Sequence, residues 1–163
     1  MSAARDGTSV RVASAKDLEA LEPILPAFLH PPYKRGRFLR ALDGGEVVVA
    51  QDADEIVGFM WCNEFFGHTF VNVLAVAQER RRRGYAGLLL EHAESHALTD
   101  RVFTSTNASN ARMRAVLARY GWRRCGEVGD IDPGDPEIVY VKYPPPEAGA
   151  SDGRFPPGTS SSG

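Results

Sequence analysis

Between residues 10 and 143 the apolar positions switch repeatedly between a period of two and a helical period. Residues 10–13 read as a short first strand, and Ser14 with Asp17 three positions on has the spacing of a capping box. Leu18, Leu21, Leu25 and Phe28 then keep one helical face. Pro23 and Pro26 interrupt that helix, and His30-Pro31-Pro32 ends it, because proline lacks an N–H and restricts the residue before it. A second helix is predicted over residues 33–42, stopping at Gly44-Gly45. Residues 46–51, with three successive valines, and residues 56–62 read as a hairpin around the turn Asp52-Ala53-Asp54.

After Gly67 comes another apolar strand, residues 70–76. From Ala86 onward Leu89, Leu90, Ala93 and Ala97 fall on one helical face. Residues 101–106 are a strand with β-branched positions. Asn110 opens a helix whose stripe is Met113, Val116, Leu117 and Tyr120, with Gly121 at the stop position. Residues 122–128 and 138–143 are two last strands, separated by the turn-forming Asp132-Pro133-Gly134-Asp135-Pro136. Strands dominate and helices lie between them, so the class is mixed α+β.

The 163 residues suit one domain with its own core. Residues 1–8 are polar, and from residue 144 the chain is rich in Pro, Gly and Ser. Both ends are expected to be disordered, leaving a domain at residues 9–143. The net charge of −2 argues against a nucleic-acid binder, despite the local run Arg80 to Arg83. No apolar stretch approaches membrane-spanning length and the N-terminus lacks the apolar core of a secretory signal. The two cysteines, Cys62 and Cys125, form no framework or metal motif and are expected to be buried apolar residues in a reducing compartment, the cytoplasm.

The chemistry concentrates where the strand at 70–76 meets the following helix. A helix start leaves N–H groups unpaired and carries the positive end of the macrodipole, so it suits an anion such as a pyrophosphate. Gly84 and Ala86 allow close approach, and Arg81, Arg82 and Arg83 add donors and charge. Other phosphate loops fit worse: there is no GxxxxGK[ST], and no GxGxxG after the first strand. His92 and His96 stand four apart on the helix but lack a third ligand, so no metal site is expected. Arg112, Arg114, Arg119, Arg123 and Arg124 form a second basic run, read as a solvated face that can also attract an adenosine phosphate or an acidic substrate.

The stretch Arg81-Arg82-Arg83-Gly84-Tyr85-Ala86 resembles the R/Q-x-x-G-x-G/A motif of the GNAT superfamily of N-acetyltransferases. Leu74-Ala75-Val76 is similar to the family's signature strand before that motif. The segment from Asn110 to Gly121-Trp122 resembles its N-(x)10-G-F pattern, with Trp for Phe. The resemblance covers residues 10–143 and implies the acyltransferase fold, a twisted mixed sheet of about six to seven strands with flanking helices.

It also implies a function: transfer of an acetyl group from acetyl-CoA, the acyl-donor co-substrate, to a primary amine of a small molecule or peptide, without a metal. The backbone from Arg82 through Gly87 would hold the pyrophosphate. Leu74, Ala75 and Val76 would pair with the pantetheine arm in a splay between the fourth and fifth strands. An N–H near Leu74 or Ala75 would polarise the thioester carbonyl, and Asn110 would bond the arm or shape its exit. Direct attack needs a neutral amine, whereas an alkyl ammonium has a pKa of about 10.4. A base is therefore expected, with Glu64 and His68, in the loop before the fourth strand, as candidates. Asn72, assigned by alternation to the face of Leu74 and Val76, would order a water. Many members carry a tyrosine four residues before the second motif's glycine, to protonate the departing thiolate; here that position is Leu117. That departure keeps a non-catalytic coenzyme A sensor as the alternative. The acceptor is expected over residues 28–37 and 64–69, with Phe28, Tyr33, Lys34, Arg35, Phe65 and Phe66 forming a partly apolar pocket. Membrane and nucleic-acid partners are not expected; a homodimer is an expectation from the family alone.

Overall fold

A computed structural model describes residues 6–146. The tail expected from residue 144 lies outside the described residues beyond 146, as do the first five residues. Thr8, assigned to a disordered N-terminus, instead begins the first strand.

Seven strands make one sheet: β1 (Thr8–Val12), β2 (Val47–Asp52), β3 (Glu55–Phe65), β4 (His68–Val76), β5 (Val102–Asn107), β6 (Arg123–Val128) and β7 (Glu137–Lys142). Their spatial order is β1-β2-β3-β4-β5-β7-β6. All neighbours are antiparallel except β4 and β5, which run parallel because a helix crosses between them. The helices are α1 (Leu18–Leu21), α2 (Pro32–Asp43), α3 (Tyr85–Ser95) and α4 (Ala111–Arg119). The α+β class and the mixed sheet agree with expectation. No helix among the described residues is long and apolar enough to cross a membrane.

Each face of the sheet has its own core. Leu89, Leu90 and Ala93 of α3 and Leu117 of α4 pack with Val48, Met60, Val71 and Val102 on one face. Leu21, Phe38 and Leu42 pack with Val47, Val49, Phe59 and Trp61 on the other. The Phe38 ring meets Phe59 and Trp61 edge-on at 5.7 and 6.1 Å. Residues of β2 contribute to both cores in turn, which is why its sequence is continuously apolar rather than alternating.

The Ser14–Asp17 capping box forms as read. Asp17 also accepts from the Arg11 guanidinium, which holds its carboxyl at about 2. The first helix is shorter than its spacing suggested. One α-turn at Leu18–Leu21 gives way to 3₁₀ turns at Glu22–Ile24 and Ala27–Leu29. The prolines forbid a continuous ladder, and the tighter turns shift the buried face. Leu29 is consequently buried at 2% exposure while Phe28 stands 51% exposed.

Candidate active site

β4 carries one residue more than its partner. Trp61 pairs with Val73 and Cys62 with Val71, so Asn72 is the extra residue of a β-bulge. The bulge resets the alternation: Val71 lies in the core under α3, and Val73 in the core under α2. A spacing of two therefore does not assign Asn72 to the face of Leu74 and Val76. Asn72 is exposed and lines the groove described next.

β4 and β5 pair over only three residues, Thr69 with Val102, Phe70 with Phe103 and Val71 with Thr104. The Thr104 hydroxyl donates to the Val71 carbonyl at 2.8 Å, closing the vertex. Beyond it the strands diverge. Leu74, Ala75 and Val76 on one side and Ser105 to Asn107 on the other line a groove of about 1230 Å³.

That groove leads to the start of α3. The chain arrives through a 3₁₀ turn at Gln78–Arg80, then reverses with Arg82 at φ 63 and Gly84 at φ 86. Left-handed residues in such a turn aim successive N–H groups into one concavity. The helix ladder begins with Leu88 N–H donating to the Gly84 carbonyl. Among the described residues, the N–H groups from Arg82 through Gly87 find no protein acceptor, and no side chain caps the helix. A Cβ on Gly84 would meet nothing within 4 Å, so the space before the helix is open. Arg82, Arg83, Gly84, Tyr85 and Ala86 all line the groove.

The arginines divide by task. Arg81 donates Nε to the Val76 carbonyl at 3.2 Å, tying the turn to the end of β4. Arg82 and Arg83 are exposed and make no ion pair among the described residues. Arg80 turns away to pair with Glu55 and approaches Asp52 at 3.6 Å. Within the second basic run, Arg112 and Arg119 line the groove. Arg114 instead caps the Ala108 carbonyl, and Arg124 pairs with Glu127.

α4 supplies the opposite wall. Asn110 is its N-cap, its side-chain oxygen accepting from Met113 N–H at 3.1 Å, and it also lines the groove. Leu117 is wholly buried, so no hydroxyl reaches the groove from that position. Tyr120 lies over Gly87 of α3, and its ring lines the groove as well as packing the core.

The two base candidates are not brought to this groove. Glu64 and His68 belong to β3 and β4 rather than to a loop, because the strands continue to a two-residue turn at Phe66-Gly67. Both sit beyond the closed vertex, and neither lines the groove. At about 3.3 Å per residue, Thr69, the pairing partner of Glu64, is about 10 Å along β4 from Asn72. His68 is engaged through Nδ1 with the Thr99 hydroxyl at 2.7 Å. Phe65 and Phe66 likewise cluster with Phe70 and Phe103 at that far end. On the α1–α2 side, Phe28 and Lys34 do line the groove, Tyr33 stands beside Lys34, and Arg35 is committed to Glu22.

Sequence reasoning missed two carboxylates that line the groove, Asp132 and Glu137. Asp132 accepts from Asn107 Nδ2 at 2.8 Å. Glu137 pairs with Asn107 across β5 and β7. Asp132 looked like turn chemistry, and Glu137 fell outside the strand expected from residue 138. Cys62 is half-buried, its thiol pushed up to about 12 by burial, but Cys125 is exposed on the outermost strand β6, contrary to expectation. No cluster of three His, Cys, Asp or Glu able to hold a metal occurs among the described residues. His92 and His96 simply stack at 4.0 Å.

The family described as "Acetyltransferase (GNAT) family" matches residues 14–122. Among curated proteins none matches the chain. A GNAT-family acetyltransferase from Bacillus cereus shares 34% identity, with a TM-score of 0.76 over 83% of this chain and 96% of that one. The ribosomal-protein-S18-alanine N-acetyltransferase of Escherichia coli is similar in fold at 17% identity and TM-score 0.69, over 90% and 99% of the two chains. So is the PaiA N-acetyltransferase of Thermoplasma acidophilum, solved with coenzyme A, at 15% identity and TM-score 0.64, over 83% and 98%. The family match, spanning most of the folded domain, and the open helix start beside two diverging strands point the same way: the chain belongs to the GNAT family and is an N-acetyltransferase that moves an acetyl group to an amine.

Proposed function

We propose that the groove between β4 and β5 is the acetyl-CoA site, with the pyrophosphate on the α3 start and the thioester at the β4 bulge. The observation that carries this is the run of unpaired N–H groups from Arg82 through Gly87, opening onto the groove. Those groups, the helix dipole and the free guanidinium groups of Arg82 and Arg83 suit a diphosphate. The pantetheine arm then runs back along Leu74, Ala75 and Val76, past Asn110 on α4. That direction is the family expectation, and the PaiA relative of similar fold was solved with coenzyme A bound.

At the bulge, the amine lone pair attacks the thioester carbon and backbone N–H groups near Leu74 stabilise the oxygen that becomes negative. The carbon–sulfur bond then breaks. The sulfur takes a proton from solvent, since a thiol pKa of about 8.5 lets the thiolate leave without a dedicated acid and Leu117 supplies none. The proton lost by the amine passes through water to a carboxylate. Glu137 is our candidate end of a chain of several waters: it lines the groove and has no side-chain partner among the described residues, whereas Asp132 is held by Asn107. Its β5 partner Asn107 stands about 10 Å along the strand from Thr104 at the vertex, too far for a single water. Asn72, exposed at the bulge, is placed to order such a water.

The acceptor enters between the apolar stretch Pro23 to Phe28 with Lys34 and the β6–β7 turn. It is an amine on a small molecule or a peptide. The free thiols Cys62 and Cys125 fit a cytoplasmic enzyme, and a homodimer remains the family expectation. The test is release of free thiol from acetyl-CoA across a panel of polyamines, amino acids, aminoglycosides and peptides, for the native protein and Gly84→Glu. Turnover by the native protein, abolished in a folded Gly84→Glu that no longer binds coenzyme A, supports the reading. Unchanged coenzyme A affinity in that variant removes it.

A further inference from the structure

The β2–β3 hairpin touches the phosphate turn at both of its ends. Asp52 is the last residue of β2 and Glu55 the first of β3. Tyr85, the first residue of α3, is only 3% exposed, and its hydroxyl donates to Asp52 Oδ2 at 2.6 Å. The same Oδ2 lies 3.6 Å from Arg80 Nη1, and Arg80 also pairs with Glu55. Arg80 precedes the left-handed pair Arg82 and Gly84, and Tyr85 follows it. One carboxylate oxygen therefore accepts a hydrogen bond from the residue after the left-handed pair and lies at ion-pair distance from the arginine before it.

We infer that Asp52 is a positioning residue for the donor site: through Arg80 and Tyr85 it holds the turn in the conformation that aims its N–H groups at a pyrophosphate. This rests on the reading that the turn binds the pyrophosphate. Arg82 in the left-handed region costs on the order of 1 kcal/mol, so the turn does not adopt this shape unaided. A hydrogen bond between a buried hydroxyl and a carboxylate is among the stronger restraints available. Ala77 N–H donating to the Val57 carbonyl, at the bulge in β3, anchors the approach to the same turn. Arg80, the first residue of the basic run, thus supports the turn while Arg82 and Arg83 face the ligand.

The charge of Asp52 makes the inference sharp. A carboxylate near a diphosphate opposes binding by Coulomb's law alone, so removing it should tighten binding unless positioning dominates. The experiment measures the affinity of coenzyme A and of pantetheine, which lacks the pyrophosphate, by calorimetry for the native protein, Asp52→Ala, Tyr85→Phe and Gly84→Glu. Asp52→Ala and Tyr85→Phe are expected to weaken coenzyme A binding about tenfold, the worth of one strong hydrogen bond. Pantetheine affinity should stay within about twofold, a split that general loosening of the fold would not give. Tyr85→Phe removes one grip without altering charge and keeps the test alive if Asp52→Ala does not fold. Unchanged or tighter coenzyme A binding in the folded variants, or equal losses for both ligands, overturns the inference. If Gly84→Glu weakens coenzyme A binding while Asp52→Ala and Tyr85→Phe do not, this inference falls alone. If Gly84→Glu also has no effect, the pyrophosphate reading falls with it.

Discussion

Gly87→Ala puts opposing local and tertiary effects at one atom. Gly87 is in the first turn of α3, and alanine there gains about 0.5–1 kcal/mol in helix propensity. The added Cβ, however, would lie under 3.0 Å from Cζ, Oη and Cε1 of Tyr120, where carbon contacts are comfortable only from about 3.5 Å. The backbone of α3 cannot yield easily, so the Tyr120 ring must swing away from the core under α4. Overpacking of this kind costs about 1–3 kcal/mol. Set against the propensity gain, the net loss centres on about 1 kcal/mol within a range of roughly 0–2.5, a fall in Tm of about 3 °C at the centre for a domain of this size. With the ring removed, Gly87→Ala in a Tyr120→Ala background should be neutral or stabilising by about 0.5–1 kcal/mol. The sign of the alanine effect thus reverses with Tyr120, and urea denaturation of the four proteins in a double-mutant cycle reads the reversal. Because Tyr120 also lines the groove, the displaced ring should weaken coenzyme A binding in the single variant. The same alanine effect with and without the Tyr120 ring, a coupling of zero in the cycle, would refute the packing argument.

Other consequences can be checked separately. Asp17 has its carboxyl lowered from 3.8 to about 2, chiefly by the Arg11 hydrogen bond, so its contribution is full above about pH 4 and is lost as pH falls through about 2. With Arg11 41% exposed, Asp17→Asn should cost on the order of 1 kcal/mol at pH 7 in chemical denaturation, and the difference should shrink towards pH 2. Iodoacetamide at pH 8 should label Cys125 in the native protein and leave Cys62 unmodified until denaturation; mass spectrometry reads the two sites. Glu137→Gln should lower kcat by about ten- to a hundredfold while the affinity for coenzyme A is retained; an unchanged kcat removes Glu137 from the proton path.

The elements were legible because their apolar periods are clean: β2 and β3 as a hairpin, α3 from Leu89, Leu90 and Ala93, α4 from its stripe to Gly121. The turn before α3 was legible because its composition is special, a glycine at φ 86 followed by a helix start. What could not be read were effects of register and of tertiary contact. The extra residue in β4 puts Val71 and Val73 on opposite faces of the sheet, which no count of alternating positions reveals. The β3–β4 hairpin runs through Glu64 and His68 to a two-residue turn, carrying both away from the groove. Glu137 and Asp52 lie on strands distant in sequence from the groove's other walls, and the pairing of β5 with β7 and of Tyr85 with Asp52 exists only once the sheet is assembled. Pro23 and Pro26 are visible in the sequence, but that they replace an α-helix by 3₁₀ turns and leave Leu29 buried with Phe28 exposed is not.

Placement of the coenzyme A diphosphate on the start of α3 underlies every step proposed above. It is tested most directly by amide nitrogen–proton NMR spectra of the protein titrated with coenzyme A and, separately, with inorganic pyrophosphate. Both ligands should shift the amides of residues 82–87 most strongly, and coenzyme A alone should also shift those of Leu74 and Val76. Saturable binding of coenzyme A that leaves residues 82–87 unmoved would contradict that placement.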